Sequence, residues 1–389
     1  MVSDVKEKRV KITGFNHQGE GICRVNGKIT FVKNTIPGEE IIVIIPKEKA
    51  KYNDGNLIKI IDSSERRANP ACPYYGKCGG CNLMHLSYED QLNFKENNIK
   101  DIIRKFYQKN VEIKPIISTI QFSYRNKGIF KVVGNEFGYY KNKTNEFIKI
   151  DKCLLMQDNI NNALSKLDKS LLTNANELIV RSSSINDDVV MALKSKNGSL
   201  VYLTDKDSLL DRIGNYTYKI STNSFFQVNN IGVEKLYNKI LDYANLSITD
   251  RVLDLYCGIG TIGIYVSKYA KEVIGIEINE QAILDAKENA KMNSISNISF
   301  LCNDGLDNID DISYDVIIVD PPREGIRKET LDKIILSNAK KIIYVSCNPI
   351  TLSRDLLVLD NKYDVIELTP IDMFPNTHHT ECVCILKLR

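Results

Sequence analysis

The sequence lacks any uninterrupted apolar run near the roughly 18 residues that a membrane span needs. Its first residues, MVSDVKEKRVKITGF, lack the apolar centre of a secretory signal peptide. A cytoplasmic protein with no membrane partner is therefore expected. Internal repeats and low-complexity tracts are missing too, and 43% hydrophobic with 26% charged residues exclude disorder, collagen and a coiled-coil rod. Net charge is nearly absent: 52 basic against 49 acidic residues leave +3. That balance by itself points to no partner.

The charge that is present is unevenly placed. Residues 1–150 hold 26 Lys/Arg and 16 Asp/Glu, a net of +10, which leaves the remainder at −7. One end thus has the balance of a polyanion binder, although clustered solvated lysines give the same count. Aromatic residues lie among the basic ones in Tyr124-Arg125-Asn126-Lys127 and Tyr139-Tyr140-Lys141, a mixture suited to phosphate contact and base stacking. Ten cysteines are present. A chain of this length buries a core without disulfides and a cytoplasm keeps thiols reduced, so their spacing carries the meaning.

Three domains are expected. Residues 1–62 alternate apolar and polar positions at 8–13, 28–32, 40–45 and 56–61, with glycine turns at Gly14, Gly19 to Gly21, Gly27 and Gly38, the pattern of a small β-barrel of the oligonucleotide-binding kind. Residues 63–220 open with a Pro/Gly/Cys-rich loop, continue through a helix at 88–107, and then read as mixed strands with one helix near 158–172. Residues 221–389 alternate short apolar strands (252–255, 273–278, 298–301, 316–319, 342–345) with helices (232–244, 261–269, 280–293, 328–336). Continuous apolar strands are covered on both faces, so this is a doubly wound α/β domain. Segments 365–368 and 382–388 complete it, the last strand antiparallel.

Gly258-Ile259-Gly260-Thr261-Ile262-Gly263 follows a strand and opens a helix, and Glu277 ends the next strand 19 residues after Gly258. Glycines admit a ligand to the backbone, the helix start offers free N–H groups, and the acid accepts ribose hydroxyls. Nicotinamide dinucleotides and S-adenosylmethionine both present such a ribose. Asp254, four residues before the first glycine, favours the second by offering a carboxylate to an amino group. An NAD-dependent iron–sulfur oxidoreductase is the rival.

Asp320-Pro321-Pro322-Arg323 and Ser346-Cys347-Asn348-Pro349 each follow a buried strand, at the carboxyl end where open α/β sheets bind ligands. The Cys347 thiol is placed for attack, given a proton acceptor nearby. His378-His379-Thr380-Glu381 supplies one carboxylate and two imidazoles before the last strand, although the imidazoles also suit capping. Cys72, Cys78 and Cys81 form C-x5-C-x2-C in the Pro/Gly loop, a set that fits zinc or an iron–sulfur cluster with a fourth ligand; Cys153 is the only other cysteine of the amino-terminal half apart from Cys23, which reads as a barrel strand residue.

These residues together resemble the uracil-C5 RNA methyltransferase family, in particular its branch acting on 23S ribosomal RNA. The resemblance spans essentially the whole chain. Residues 1–62 match a TRAM barrel, and Phe225-Phe226-Gln227-Val228-Asn229, 254–260, 320–325, 346–349, 351–355 and 379–381 match motifs of the catalytic domain. It implies a Rossmann-like methyltransferase in which Gln227, Tyr256, Glu277 and Asp320 contact S-adenosylmethionine, with Asp320 also near the uracil. It further implies Cys347 as nucleophile, Glu381 as base, and Cys72, Cys78, Cys81 and Cys153 as ligands of a [4Fe–4S] cluster. Thr261 departs from an asparagine common in relatives, and the match at Asp304 is loose. The tRNA-acting branch is similar in its catalytic domain but lacks barrel and cluster cysteines, so ribosomal RNA is the expected partner and tRNA the alternative; no obligate protein partner is indicated.

Carbon 5 of uracil is too weak a nucleophile to take a methyl group from a sulfonium unaided. A thiolate adding to C6 makes C5 enolate-like, and a base then removes the C5 proton. An acidified Cys347 and a Glu381 raised toward neutrality by burial are expected on that scheme. Phe225 or Phe226 is expected to stack on the extruded base.

Overall fold

The computed structural model describes residues 6–142, 144–222, 224–305 and 313–389; the first five residues of the expected barrel lie outside these. Glycine turns break the amino-terminal stretch into six strands: β1 (Lys8–Lys11), β2 (Gly14–Phe15), β3 (Gly21–Val25), β4 (Lys28–Val32), β5 (Glu40–Ile44) and β6 (Asn53–Asp62). They pair in the order β1-β5-β6-β4-β3-β2, with β4 and β6 parallel and β5 slipping register twice against β6. Alternation puts Ile12, Cys23, Val25, Val32, Ile41 and Val43 into one core. Strand β3 starts at Gly21, the last residue of the expected glycine turn, and carries Cys23 into the barrel core.

The chain continues through α1 (Tyr88–Phe106), β7 (Glu112–Ile113), β8 (Lys127–Val133), β9 (Glu136–Tyr140), β10 (Phe147–Lys149) and α2 (Asp158–Ser165). It then forms a 3-10 turn (Lys169–Leu172), β11 (Glu177–Ser182), β12 (Val189–Lys194), β13 (Leu200–Tyr202), and the hairpin β14 (Ser208–Ile213) and β15 (Tyr216–Ser221). The single helix expected near 158–172 is therefore two pieces, separated before Asp168, whose carboxylate caps the second.

Two compact units result. One comprises Met1–Asn98, Gly138–Ile150 and Phe374–His379, and the other Ile99–Phe137, Asp151–Met373 and Thr380–Arg389. In the first, Glu39 is fully buried and its carboxylate accepts two bonds from Arg67, at 2.6 and 2.7 Å, and one from the Ile36 amide at 2.8 Å. Burial alone pushes the Glu39 carboxyl upward, but these donors and the Arg67 charge outweigh it and hold the carboxyl below its ordinary value. In the second, β8, β11, β12 and β13 form an antiparallel sheet.

The second unit also holds α3 (Asn230–Ala244), β16 (Arg251–Leu255), α4 (Thr261–Ser267), β17 (Glu272–Glu277), α5 (Glu280–Met292), β18 (Ile298–Cys302), β19 (Val316–Val319), α6 (Lys328–Leu336), β20 (Lys341–Ser346), α7 (Pro349–Leu359), β21 (Tyr363–Ile371) and β22 (Glu381–Leu388). Its sheet runs β18-β17-β16-β19-β20-β22-β21-β7. The first five of these strands are parallel, and β22 lies antiparallel to both neighbours, as the terminal hairpin required. All four residues of β19 are buried, which is why such strands read as unbroken apolar runs. The eighth strand, β7, joins parallel to β21 through only two pairs and carried no periodic signal of its own. Among the described residues no helix is long and apolar enough to cross a membrane.

Helix α7 begins where Asn348 caps and Pro349 takes the first turn, a start signal the motif reading passed over. Its Asp355 is fully buried and accepts hydrogen bonds from the Ile326 amide at 2.8 Å, the Tyr344 hydroxyl at 2.7 Å and Arg354 Nε at 2.8 Å. One carboxylate thereby ties helix, strand β20 and the loop after β19 together. Asp355→Ala strands these donors and is expected to cost about 3 kcal/mol, measured as a lower denaturation midpoint in urea.

Candidate active site

Strand order reverses between β16 and β19, and in open α/β sheets that switch point is where ligands bind. Tyr256 follows β16 with φ of 64°, a left-handed conformation uncommon for a non-glycine residue, so the chain turns sharply out of the strand. Gly258 (φ 53°) has nothing within 4 Å of where a Cβ would stand, leaving an open cradle over the backbone. Gly260 (φ 80°) caps α4.

Asp254 is fully buried; one oxygen accepts the Gly263 amide at 2.8 Å, while the other has no hydrogen-bond partner. Burial pushes its carboxyl up to about 8, with the Asp320 and Glu277 charges adding to the rise and the Gly263 amide opposing it. An orphaned buried acid beside an open glycine cradle fits a cationic, ribose-bearing ligand. Glu277 accepts the Gly258 amide at 3.2 Å and the Asn279 amide at 2.9 Å, so it lies against the glycine loop as expected. The Tyr256 side chain bonds Thr330, and Asp304 pairs with Arg327 beside it. Thr261, at the departure from the usual asparagine, shares a 2.7 Å hydrogen bond with the Tyr237 hydroxyl.

Gln227 is buried, and its carbonyl accepts the Asn126 side-chain amide at 3.1 Å. Two residues on, Asn229 caps α3 through the Gly232 amide at 2.9 Å and donates to the Met373 carbonyl at 3.1 Å. The phenylalanines before them divide sharply. Phe226 is 2% exposed and packs on Tyr218, with ring centres 6.1 Å apart, so it is unavailable for stacking on a substrate. Phe225, 72% exposed, is the aromatic left for that task.

Cys347 and Glu381 meet at the sheet's edge because Ser346 pairs with Cys382 across β20 and β22. Cys347 is the first residue after β20 and Glu381 the first residue of β22, and the Glu381 charge acts on the Cys347 thiol. Asp320 follows β19, the other neighbour of β20. Burial pushes Glu381 up to about 8, helped by the Asp320 charge and opposed by Arg323. Asp320 rises to about 6 by burial. The Cys347 thiol departs from expectation: burial, then the Glu381 and Asp320 charges, raise it to about 11, against the lowering effect of Arg323. In the free protein it is therefore a protonated thiol, not an acidified one. The residue that sequence reading left without a role is Arg323, quoted within its motif.

Elsewhere in the chain, the loop bearing Cys72, Cys78 and Cys81 keeps each thiol half-buried, and the Gly80 amide donates to Cys78 Sγ at 3.4 Å. Cys153 is half-buried too, its amide and carbonyl both held by the Asn161 side chain at 3.0 Å. This donor chemistry suits an iron–sulfur cluster, yet among the described residues no group of three or more His, Cys, Asp or Glu side chains is gathered as a metal cage. His378 is engaged in hydrogen bonding: its amide donates to Asn82 Oδ1 at 2.9 Å and its Nδ1 lies 2.6 Å from the Asn82 side-chain nitrogen.

The sheet order, glycine cradle and acids define a Rossmann-like S-adenosylmethionine-dependent methyltransferase. Comparison with known proteins narrows the class. The family model for tRNA (uracil-5-)-methyltransferases matches residues 166–389, and that for the TRAM domain matches residues 3–58. Proteins described as uncharacterized RNA methyltransferases are 33% identical in Clostridium tetani (96% of this chain, 95% of that one) and 34% identical in Caldanaerobacter subterraneus (97% of each). The crystal structure of Pyrococcus abyssi tRNA (uracil-54, C5)-methyltransferase with S-adenosyl-L-homocysteine superposes with a TM-score of 0.79 at 26% identity, covering 97% of this chain and 99% of that one. The chain belongs to the tRNA (uracil-5-)-methyltransferase family and carries an amino-terminal TRAM domain.

The two phenylalanines make opposite forecasts. Phe226→Ala should lose about 3–5 kcal/mol of stability, whereas Phe225→Ala should leave the thermal midpoint within a degree or two, about the effect of a surface change. Scanning calorimetry on both variants checks the division.

Proposed function

We propose that this chain transfers a methyl group from S-adenosylmethionine to C5 of a uridine in 23S ribosomal RNA through a covalent bond between Cys347 and C6. The observation that supports this reading is the placement of Cys347, just after β20, near Glu381, which opens the paired strand β22, with Asp320 following the neighbouring β19, at the end of the sheet that holds the glycine cradle. When bound, S-adenosylmethionine supplies an electrophilic methyl on a sulfonium. Asp254, Glu277, Tyr256 and Gln227 hold that donor, and Asp320 faces both it and the uracil. Cys347 loses its proton to solvent and its sulfur adds to C6; the C5–C6 π electrons move toward C5 and O4. C5 then takes the methyl, and Glu381 removes the C5 proton, so that the double bond re-forms and the sulfur leaves. Phe225 stacks on the extruded base, offsetting part of an unstacking cost of a few kcal/mol. The same reading keeps the protein in the cytoplasm, where its thiols stay reduced.

A tRNA uridine is the second reading, favoured by a specific observation. The Pyrococcus enzyme, whose description names a tRNA substrate, matches across 97% of this chain, so the barrel does not by itself separate the two substrates. The basic balance of residues 1–150 suits either RNA.

Cys347→Ala and the parent, each incubated with 5-fluorouridine-containing 23S ribosomal RNA fragments and tRNA transcripts, separate these possibilities. The parent should trap a covalent adduct with the ribosomal fragment, and the variant should trap none. Adduct formation with tRNA alone moves the substrate to the second reading, and turnover by the variant removes the covalent scheme. Because Glu381 must be a carboxylate and its carboxyl is held at about 8, the parent's rate should climb as pH rises through that value.

We also infer that Cys72, Cys78, Cys81 and Cys153 hold a [4Fe–4S] cluster; its support is the half-buried thiols and the amide directed at Cys78. Anaerobically purified protein should be brown and contain a full cluster complement of iron and sulfide. Colourless protein without iron, from cells fed iron, would remove the cluster.

A further inference from the structure

Arg323 is built into a turn that leaves its backbone little freedom. Its carbonyl accepts the Asn348 side-chain amide at 3.0 Å and the Thr351 hydroxyl at 3.1 Å. The next carbonyl, of Glu324, accepts Arg354 at 2.8 Å, Gly325 closes the turn at φ 79° with its amide on Pro322, and the Ile326 amide is held by buried Asp355. Residues flanking Cys347 thus grip the loop that carries Arg323. The Asn348 bond sets Arg323 beside the residue that follows Cys347, and from there the guanidinium charge acts on both the sulfur and Glu381.

The groups that face Cys347 are few. Strand β22 brings Glu381 and Cys382, and the loop after β19 brings Asp320 and Arg323. Two carboxylates oppose ionisation of the thiol, and the guanidinium is the group that favours it. Without a cation at this point, a buried thiol between two acids gives up its proton very poorly.

We propose that Arg323 is a catalytic residue that serves two anions in turn, first the Cys347 thiolate and then the Glu381 carboxylate. This rests on the covalent reading above. While the sulfur is anionic the guanidinium pairs with it; once the sulfur bonds to C6 its negative charge passes into the ring and on to the new C5–methyl bond. Arg323 is then left facing Glu381 and keeps that group in the carboxylate form it must have before it takes the C5 proton. When the S–C6 bond breaks, the electron pair returns to sulfur and the guanidinium pairs with it again. A single fixed cation thereby supports nucleophile and base without a proton having to pass between them.

The test uses the whole protein and the variants Arg323→Met and Arg323→Lys. Iodoacetamide labelling across pH, followed at the Cys347 peptide by mass spectrometry, gives the ionisation midpoint of that thiol; exposed Cys302 serves as internal reference. The Met variant should shift the Cys347 midpoint upward by about one pH unit or more, and the Lys variant should recover much of it. The acid limb of the rate profile should move the same way. Arg323 is exposed, so the variants are expected to fold, and calorimetric binding of S-adenosyl-L-homocysteine at parental affinity checks this. A Met variant whose Cys347 midpoint and acid limb both coincide with the parent's overturns the inference, as does movement of only one of them. If instead Cys347→Ala still turns over, the covalent reading itself has failed, a result distinct from either.

Discussion

Register between two antiparallel strands is the constraint on which the site depends. Ser346 stands opposite Cys382, so the chain leaves β20 at Cys347 close to where β22 begins at Glu381, and a slip of one position would move the two apart and turn the buried residues of the slipped strand to the other face of the sheet. The apolar run on either side enforces that register: Ile342, Ile343, Tyr344 and Val345 of β20 and Cys382 to Leu386 of β22 are all buried. Core packing therefore positions the side chains of Cys347 and Glu381, and the loops that follow have only to hold what the sheet delivers.

Delivering acids to the buried end of a sheet has a thermodynamic cost that the structure displays. Asp254 and Glu381 are pushed up to about 8 and Asp320 to about 6, all with burial as the main cause. A carboxyl raised on folding binds its proton more tightly in the folded chain than in the unfolded one. Its neutral form costs little below the unfolded value, and stability is lost as pH rises from there through the folded value. A cationic ligand arriving among these acids reverses the balance by favouring their charged forms, so ligand binding and stability are linked at neutral pH. At Asp355, Arg354, Tyr344 and the Ile326 amide supply hydrogen bonds to both carboxylate oxygens.

Much of this was legible from the sequence, for identifiable reasons. Strand Val316–Val319 and helix Lys328–Leu336 were read to the residue because continuous apolar runs and heptad-like spacing survive without context. The glycine loop announced itself because only glycine tolerates φ of 53° and 80° without strain at Gly258 and Gly260. Strand β7 did not, since two residues paired at a sheet edge carry no period. The state of the Cys347 thiol was also invisible: its proximity to Asp320 and Glu381 comes from three separate strands, and no local pattern encodes the sum of their charges. The same holds for Phe225 and Phe226, identical neighbours of which one fills the core and the other faces solvent.

Affinity for RNA and choice among RNAs rest on different contacts. Contacts to phosphate supply affinity and register without sequence information, so the basic amino-terminal balance fits any RNA that presents a backbone. Information about which uridine is reached must lie in groups that touch base edges or recognise the shape around an unpaired nucleotide. A barrel shared with an enzyme described as acting on tRNA is thus evidence for RNA as a class of partner and is neutral between its kinds. The exposure of Phe225 leaves room for a base to stack from outside, while the buried ring of Phe226 beneath fixes the segment from which it projects.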